Sequence, residues 1–96
     1  MPTVVLAPSL GRWLSSEPRP SLETRRVLTG TTVRELLEAL FAEFPRLRDY
    51  VVDERGTLRH HIVAFVNGIA VTDKVHLAEF VPADGELYIF QALSGG

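Results

Sequence analysis

Apolar residues recur along this chain with two different periods, and the longer period marks its clearest element. After Thr32 the apolar positions are Val33, Leu36, Leu37, Leu40, Phe41 and Phe44. Spacings of three, one, three, one and three draw one wide stripe on a helix of period 3.6, with Arg34, Glu35, Glu38 and Glu43 turned largely to water. Thr32 can accept an N–H of the first turn, and Glu35 three positions later completes a capping-box pattern. Pro45 cannot continue the helix, which is therefore predicted to stop near Phe44. The stripe is too wide for a coiled-coil seam and too short for a membrane span, so it reads as a core face.

The remaining apolar runs are short and rich in β-branched and aromatic residues. Thr3-Val4-Val5-Leu6 predicts a first strand and residues 22–28 a second, joined by a long connection in which Gly11, Ser15, Ser16, Pro18 and Pro20 break regular structure. Within that connection Leu10 and Leu14 are expected to pack, whereas Trp13 either tucks back or stays exposed for a partner. Residues 46–58 are mixed in character, with Leu47, Tyr50 and Val51 covering one end of the core and a turn at 54–57. Ile62-Val63-Ala64-Phe65-Val66 predicts a strong strand, and Asn67-Gly68 behind it supplies the two positive-φ residues of a tight hairpin turn. Ile69-Ala70-Val71 returns as a short partner. Val75, Leu77, Phe80 and Val81 fall in an irregular segment expected to touch the core, and Ala83-Asp84-Gly85 turns into a closing strand over 86–90.

One helix with one apolar face lies most simply across one face of a single sheet. A right-handed crossover then places the first and last strands side by side in the middle. The expectation is an α+β fold, the ubiquitin-like β-grasp, with a mixed four- to five-stranded sheet and one main helix packed on one face. Residues 1–96 form a single domain in this reading, with 91–96 a flexible C-terminal tail.

Composition narrows the function classes. Ninety-six residues suit one small core burying roughly 60–65% of the unfolded surface. A hydrophobic share of 46% against 23% charged residues points to a globular chain rather than a disordered one. A net charge of −2, with the ten basic residues scattered, argues against nucleic acid or an acidic membrane as partner. Without cysteine there is no disulfide, thiolate nucleophile or thiolate metal site. No apolar run approaches the ~20 residues of a bilayer span, and the N-terminus lacks the pattern of a secretory signal, so a soluble cytoplasmic protein is expected.

The candidate chemistry sits at the end of the sequence. Behind the last predicted strand stand Ser94, Gly95 and Gly96. Glycines can thread a channel too narrow for side chains, which makes the Gly96 carboxylate the leading candidate for a reactive group. From a central strand, residues 91–96 would extend roughly 20 Å at about 3.3 Å each, far enough to enter another protein's active site. Tyr88 and Phe90 fall on one face of the closing strand and Leu87 and Ile89 on the other. The face away from the helix would expose apolar area of the kind that marks a docking site. His60 and His61 are adjacent, point to opposite faces if on a strand, and do not suggest a shared metal; Asp49, Asp53 and Glu54 read as a solvated loop. With no nucleophile–base constellation, no independent enzyme activity is expected.

These features together resemble the ThiS/MoaD family of sulfur-carrier proteins. The likeness rests on Val4 to Leu6, the opening Thr31-Thr32-Val33-Arg34-Glu35-Leu36-Leu37, then Phe65-Val66-Asn67-Gly68, and finally Asp84-Gly85-Glu86-Leu87, Phe90 and Gly95-Gly96, in that order. The resemblance implies that an E1-like adenylating enzyme spends ATP on the terminal carboxylate. A sulfur donor then converts it to a thiocarboxylate, and a downstream sulfur-accepting synthase of cysteine, molybdopterin or thiamine synthesis, or of tRNA thiolation, takes up the sulfur. On this view Gly96 carries the chemistry, Gly95 provides clearance, and Ser94 and Leu93 steer the tail. Phe90, with Tyr88 or Leu87, contributes apolar contact to the partner. The chain itself binds no cofactor or metal, and it has no glycine-rich phosphate loop of its own. Some molybdopterin-synthase small subunits carry prolines before the final glycines; here Gln91-Ala92-Leu93-Ser94 stands instead, which weighs against the molybdenum pathway. The long loop over 8–20 and Leu58-Arg59-His60-His61 look more similar to carriers of the cysteine-synthesis type. Two rivals remain open: a ubiquitin-like modifier, whose activated carboxylate is attacked by a lysine amine, and a β-grasp binding module without tail chemistry.

Overall fold

The computed structural model describes residues 1–7 and 24–91. Among these the chain runs β1 (Thr3–Leu6), β2 (Thr24–Val27), α1 (Val33–Glu43), α2 (Pro45–Val51), β3 (Ile62–Val66), β4 (Ile69–Ala70) and β5 (Glu86–Gln91). The strands form one sheet in the order β2-β1-β5-β3-β4. β1 pairs parallel with β5, and the other neighbours are antiparallel. First and last strands are therefore adjacent at the centre, the β-grasp arrangement that the sequence predicts.

α1 forms where the stripe begins. The Thr32 hydroxyl accepts the Glu35 N–H at 3.2 Å, and the Glu35 carboxylate reaches back to the Thr31 N–H at 2.7 Å and the Thr31 hydroxyl at 3.0 Å. The reciprocal cap thus closes one residue further upstream than the simplest capping box. Carbonyls of the segment before β5 take up two of the other first-turn donors: Val33 N–H bonds Glu79 O at 3.1 Å and Arg34 N–H bonds Leu77 O at 2.9 Å. Val33, Leu36, Leu37, Leu40 and Phe41 are buried against Val4, Leu6, Leu87 and Ile89 of the two central strands. Each such side chain contributes about 1.5–3 kcal/mol by leaving water, so this one face outweighs any surface ion pair of the molecule.

The structure departs from expectation in several places. The segment after Phe44 is a second helix: Pro45 stops α1 and opens α2 at its first position, where the missing N–H costs nothing. α2 buries Leu47 and Val51. Leu77 and Val81 join the core as expected, but Val75 and Phe80 do not; they are 56% and 66% exposed. Leu77 is fully buried with a φ of 54°, a left-handed conformation unusual for leucine. Arg34 is not simply turned to water. Its guanidinium donates to Gly56 O at 2.9 Å and Val75 O at 2.7 Å, holding two turns against α1. Gly56 has a φ of +81°, which favours glycine, and a Cβ there would meet the Arg34 Nη1 at 2.7 Å, so a larger residue would also displace that guanidinium. At the other hairpin Asn67 and Gly68 adopt the predicted positive φ values of 49° and 84°.

Candidate functional site: the open sheet face and the end of the last strand

α1 covers one face of the sheet, and the register defines the other. In β5, Leu87 and Ile89 point beneath the helix and are fully buried, while Tyr88 and Phe90 point away and are half-buried. β3 places Val63 opposite Phe90 and Phe65 opposite Tyr88, so these four side chains share the open face. The rings of Phe65 and Phe90 are stacked, with centroids 5.7 Å apart and planes 1° from parallel, and the Tyr88 ring lies 5.9 Å from that of Phe90. Val5, opposite Tyr88 in β1, is buried on the same face. An ion pair between Arg25 of edge strand β2 and Glu86, at 3.3 Å, flanks the patch. The arrangement is an aromatic surface flanked by one ion pair, a composition that protein interfaces favour.

Tyr88 and Phe90 thus occupy the face expected of them. Leu87 does not: it is fully buried under α1, and the expectation that it contributes to partner contact is corrected. The alternation of β5 decides this, since a residue between two outward-facing positions faces inward. Phe65 is the member that sequence reasoning missed; its place two residues before the Asn67-Gly68 turn fixes its face once the hairpin register is known. Leu93, Ser94, Gly95 and Gly96 lie outside the described residues, as do Leu10, Trp13 and Leu14. Gln91, expected to begin the tail, is the last residue of β5, paired with Ile62 of β3.

Around Gln91 the structure assembles side chains from three elements. The Tyr50 hydroxyl, from the end of α2, donates to the Gln91 side-chain oxygen. His61, just before β3, meets the Tyr50 ring edge-on at 5.5 Å, and the His60 ring lies 5.7 Å from that of His61. The two histidines occupy a turn rather than a strand, so their rings are neighbours and not on opposite faces as expected. Among the described residues no group of three or more His, Asp or Glu side chains is placed to hold a metal ion. His76 instead pairs with Asp73 at 2.9 Å in an exposed turn. The Asp73 carboxyl is held below the usual carboxylate range, first by the His76 backbone N–H and then by its side chain. An apolar recess lined by Met1, Pro2, Phe80 and Val81 lies near the start of β5, away from Gln91. No helix among the described residues is long and apolar enough to cross a membrane.

This architecture recurs in solved structures. Small archaeal modifier protein 1 of Haloferax volcanii is 30% identical, with a TM-score of 0.70, over 98% of this chain and 99% of that one. The BexX/CysO complex of Amycolatopsis orientalis contains a chain 22% identical, with a TM-score of 0.73, over 97% and 99% of the two chains. CysO of Mycobacterium tuberculosis is 17% identical, with a TM-score of 0.72, over 94% and 99%. At those lower identities the last two likenesses speak to the fold alone. Comparison with curated proteins finds no match. The model of the ThiS family matches residues 16–96, a span that holds α1, the Asn67-Gly68 hairpin, the aromatic strand β5 and the two glycines. With most of its length matched in sequence and its sheet order that of a β-grasp, the chain belongs to the ThiS family.

Proposed function

We propose that this protein is a sulfur carrier whose reactive group is the carboxylate of Gly96. A carboxylate oxygen attacks the α-phosphorus of ATP within an E1-like partner, pyrophosphate leaves, and an acyl-adenylate forms. A sulfide-level sulfur nucleophile then attacks the acyl carbon, AMP departs, and the thiocarboxylate carries sulfur to an acceptor enzyme. In this reading the chain is the protein co-substrate of these steps, and its partner supplies the catalysis. The observation that carries the reading is the joint presence of family membership and a central β5 that leads directly to the segment bearing Gly95 and Gly96. The open face supports it by offering aromatic area on β5 and its neighbour β3, where Tyr88, Phe90 and Phe65 would hold the partner while the glycines enter its active site. A chain of this fold is found in complex with a second protein in the BexX/CysO structure.

Mass spectrometry of the protein purified from its native host tests the reading. Exchange of one oxygen for sulfur at the C-terminus supports it; an unmodified terminus in cells starved and replete for sulfur counts against it. A second reading has its own support in the relative described as a modifier protein. In that case isopeptide-linked adducts on other proteins appear, and loss of Gly96 abolishes them.

A further inference from the structure

The contact between Tyr50 and Gln91 joins elements remote in sequence at the last described residue of the central strand. Gln91 is fixed on its backbone by pairing with Ile62 and on its side chain by the Tyr50 hydroxyl. Tyr50 is half-buried, packs against the core from α2, and is braced on its ring by His61. Val51, the next residue along α2, is fully buried, so the hydroxyl is presented from a rigid element. Side-chain fixation at a strand's final pair matters because strand ends fray: one backbone pair at the end is easily lost unless something else holds it.

We infer that Tyr50 and Gln91 form a clamp that keeps β5 paired through Gln91, and that Tyr50 is a positioning residue for activation of Gly96. This deepens the proposed function and rests on it. With the clamp closed, the last pair of β5 stands five positions before Gly96 in sequence; each residue released from the strand adds about 3.3 Å to the reach between the last pair and Gly96. Every released residue also brings its own conformational freedom, which must be lost when the carboxylate is aligned with the nucleotide. Misplacement at the reacting atoms is paid in rate, because alignment contributes to the barrier. The docking patch of Phe65, Tyr88 and Phe90 is on the opposite face of the sheet from the Gln91 side chain. The clamp should therefore govern turnover while leaving docking untouched.

The test uses the full chain and a purified E1-like adenylating enzyme that activates the wild type, read by ATP–pyrophosphate exchange. Tyr50→Phe removes only the hydroxyl, Gln91→Met removes the acceptor at similar volume, and Gln91→Glu retains an acceptor. The expected result is a fall of about five- to tenfold in kcat for Tyr50→Phe and Gln91→Met with KM for the carrier unchanged. The double variant should be no worse than either single one, and Gln91→Glu should remain near wild type. Backbone order measured by NMR relaxation should drop at Gln91 in Tyr50→Phe while Val4 and Leu87 stay rigid, which separates a local effect from loss of fold. Unchanged kcat in both single variants, additive losses in the double variant, or undiminished order at Gln91 would overturn the clamp. If no adenylating enzyme activates even the wild type, the functional reading falls, and the NMR comparison alone decides whether the clamp exists.

Discussion

Thr32 shows how much one side chain can decide. Its hydroxyl caps α1, and Glu35 closes the reciprocal bond to Thr31. Thr32→Ala is expected to lower unfolding stability by about 1 kcal/mol, measured by urea denaturation at unchanged m-value. Three carboxyls are held below their ordinary range by hydrogen bonds: Glu35 chiefly by the Thr31 N–H, Asp53 by the Thr57 N–H, and Asp73 by the His76 N–H. Depressed in the folded state, these groups bind protons more readily when unfolded. Their contribution is complete above the usual carboxylate range near pH ~4 and declines as pH falls through the folded values. Stability should thus be insensitive to these groups at neutral pH and drop on acidification. Asp53→Asn should flatten part of that acid slope in a series of denaturation curves; an unaltered slope would remove Asp53 from the account. Single residues also mark where sequence reading stops. Nothing in a leucine announces the left-handed φ of the fully buried Leu77.

Legibility at the scale of elements followed the strength of local signals. α1 was readable because cap, stripe and stop agree, and the Asn67-Gly68 hairpin because its turn chemistry admits few residues. α2 was not, because a proline after an apolar stripe signals an end without saying whether another helix begins. Phe65 was hidden for a different reason: Ile62-Val63-Ala64-Phe65-Val66 is apolar throughout, so its pattern could not say which face was covered. Half of the open face was therefore visible in β5 and half only after pairing. At this scale the helix stripe is the main stabilising contact. Leu36→Ala, at a position with no solvent exposure, should cost about 2–5 kcal/mol. A loss below about 1 kcal/mol in calorimetry would mean that the α1 face matters less than its burial suggests.

Considered whole, the sheet has one covered face and one open face. The covered face supplies stability through α1, and the open face keeps aromatic area half-exposed at the centre of the sheet. Phe65→Ala and Phe90→Ala should weaken partner binding by about tenfold or more, seen as a raised KM in the activation assay or a raised Kd by calorimetry. Removing Ile69, an exposed edge residue with no part in the patch, should leave both unchanged. The fold class was accessible from element order alone, whereas the end of the last strand was not, since only tertiary structure brings Tyr50 to Gln91.

The central place of β5 has a mechanical consequence. A force applied along the strand through Gln91 meets a parallel ladder to β1 on one side and an antiparallel ladder to β3 on the other. Both ladders lie across the direction of load, so their bonds must shear together and cannot unzip one at a time. Stretching the molecule through Gln91 should therefore require more force than peeling β4 from its edge.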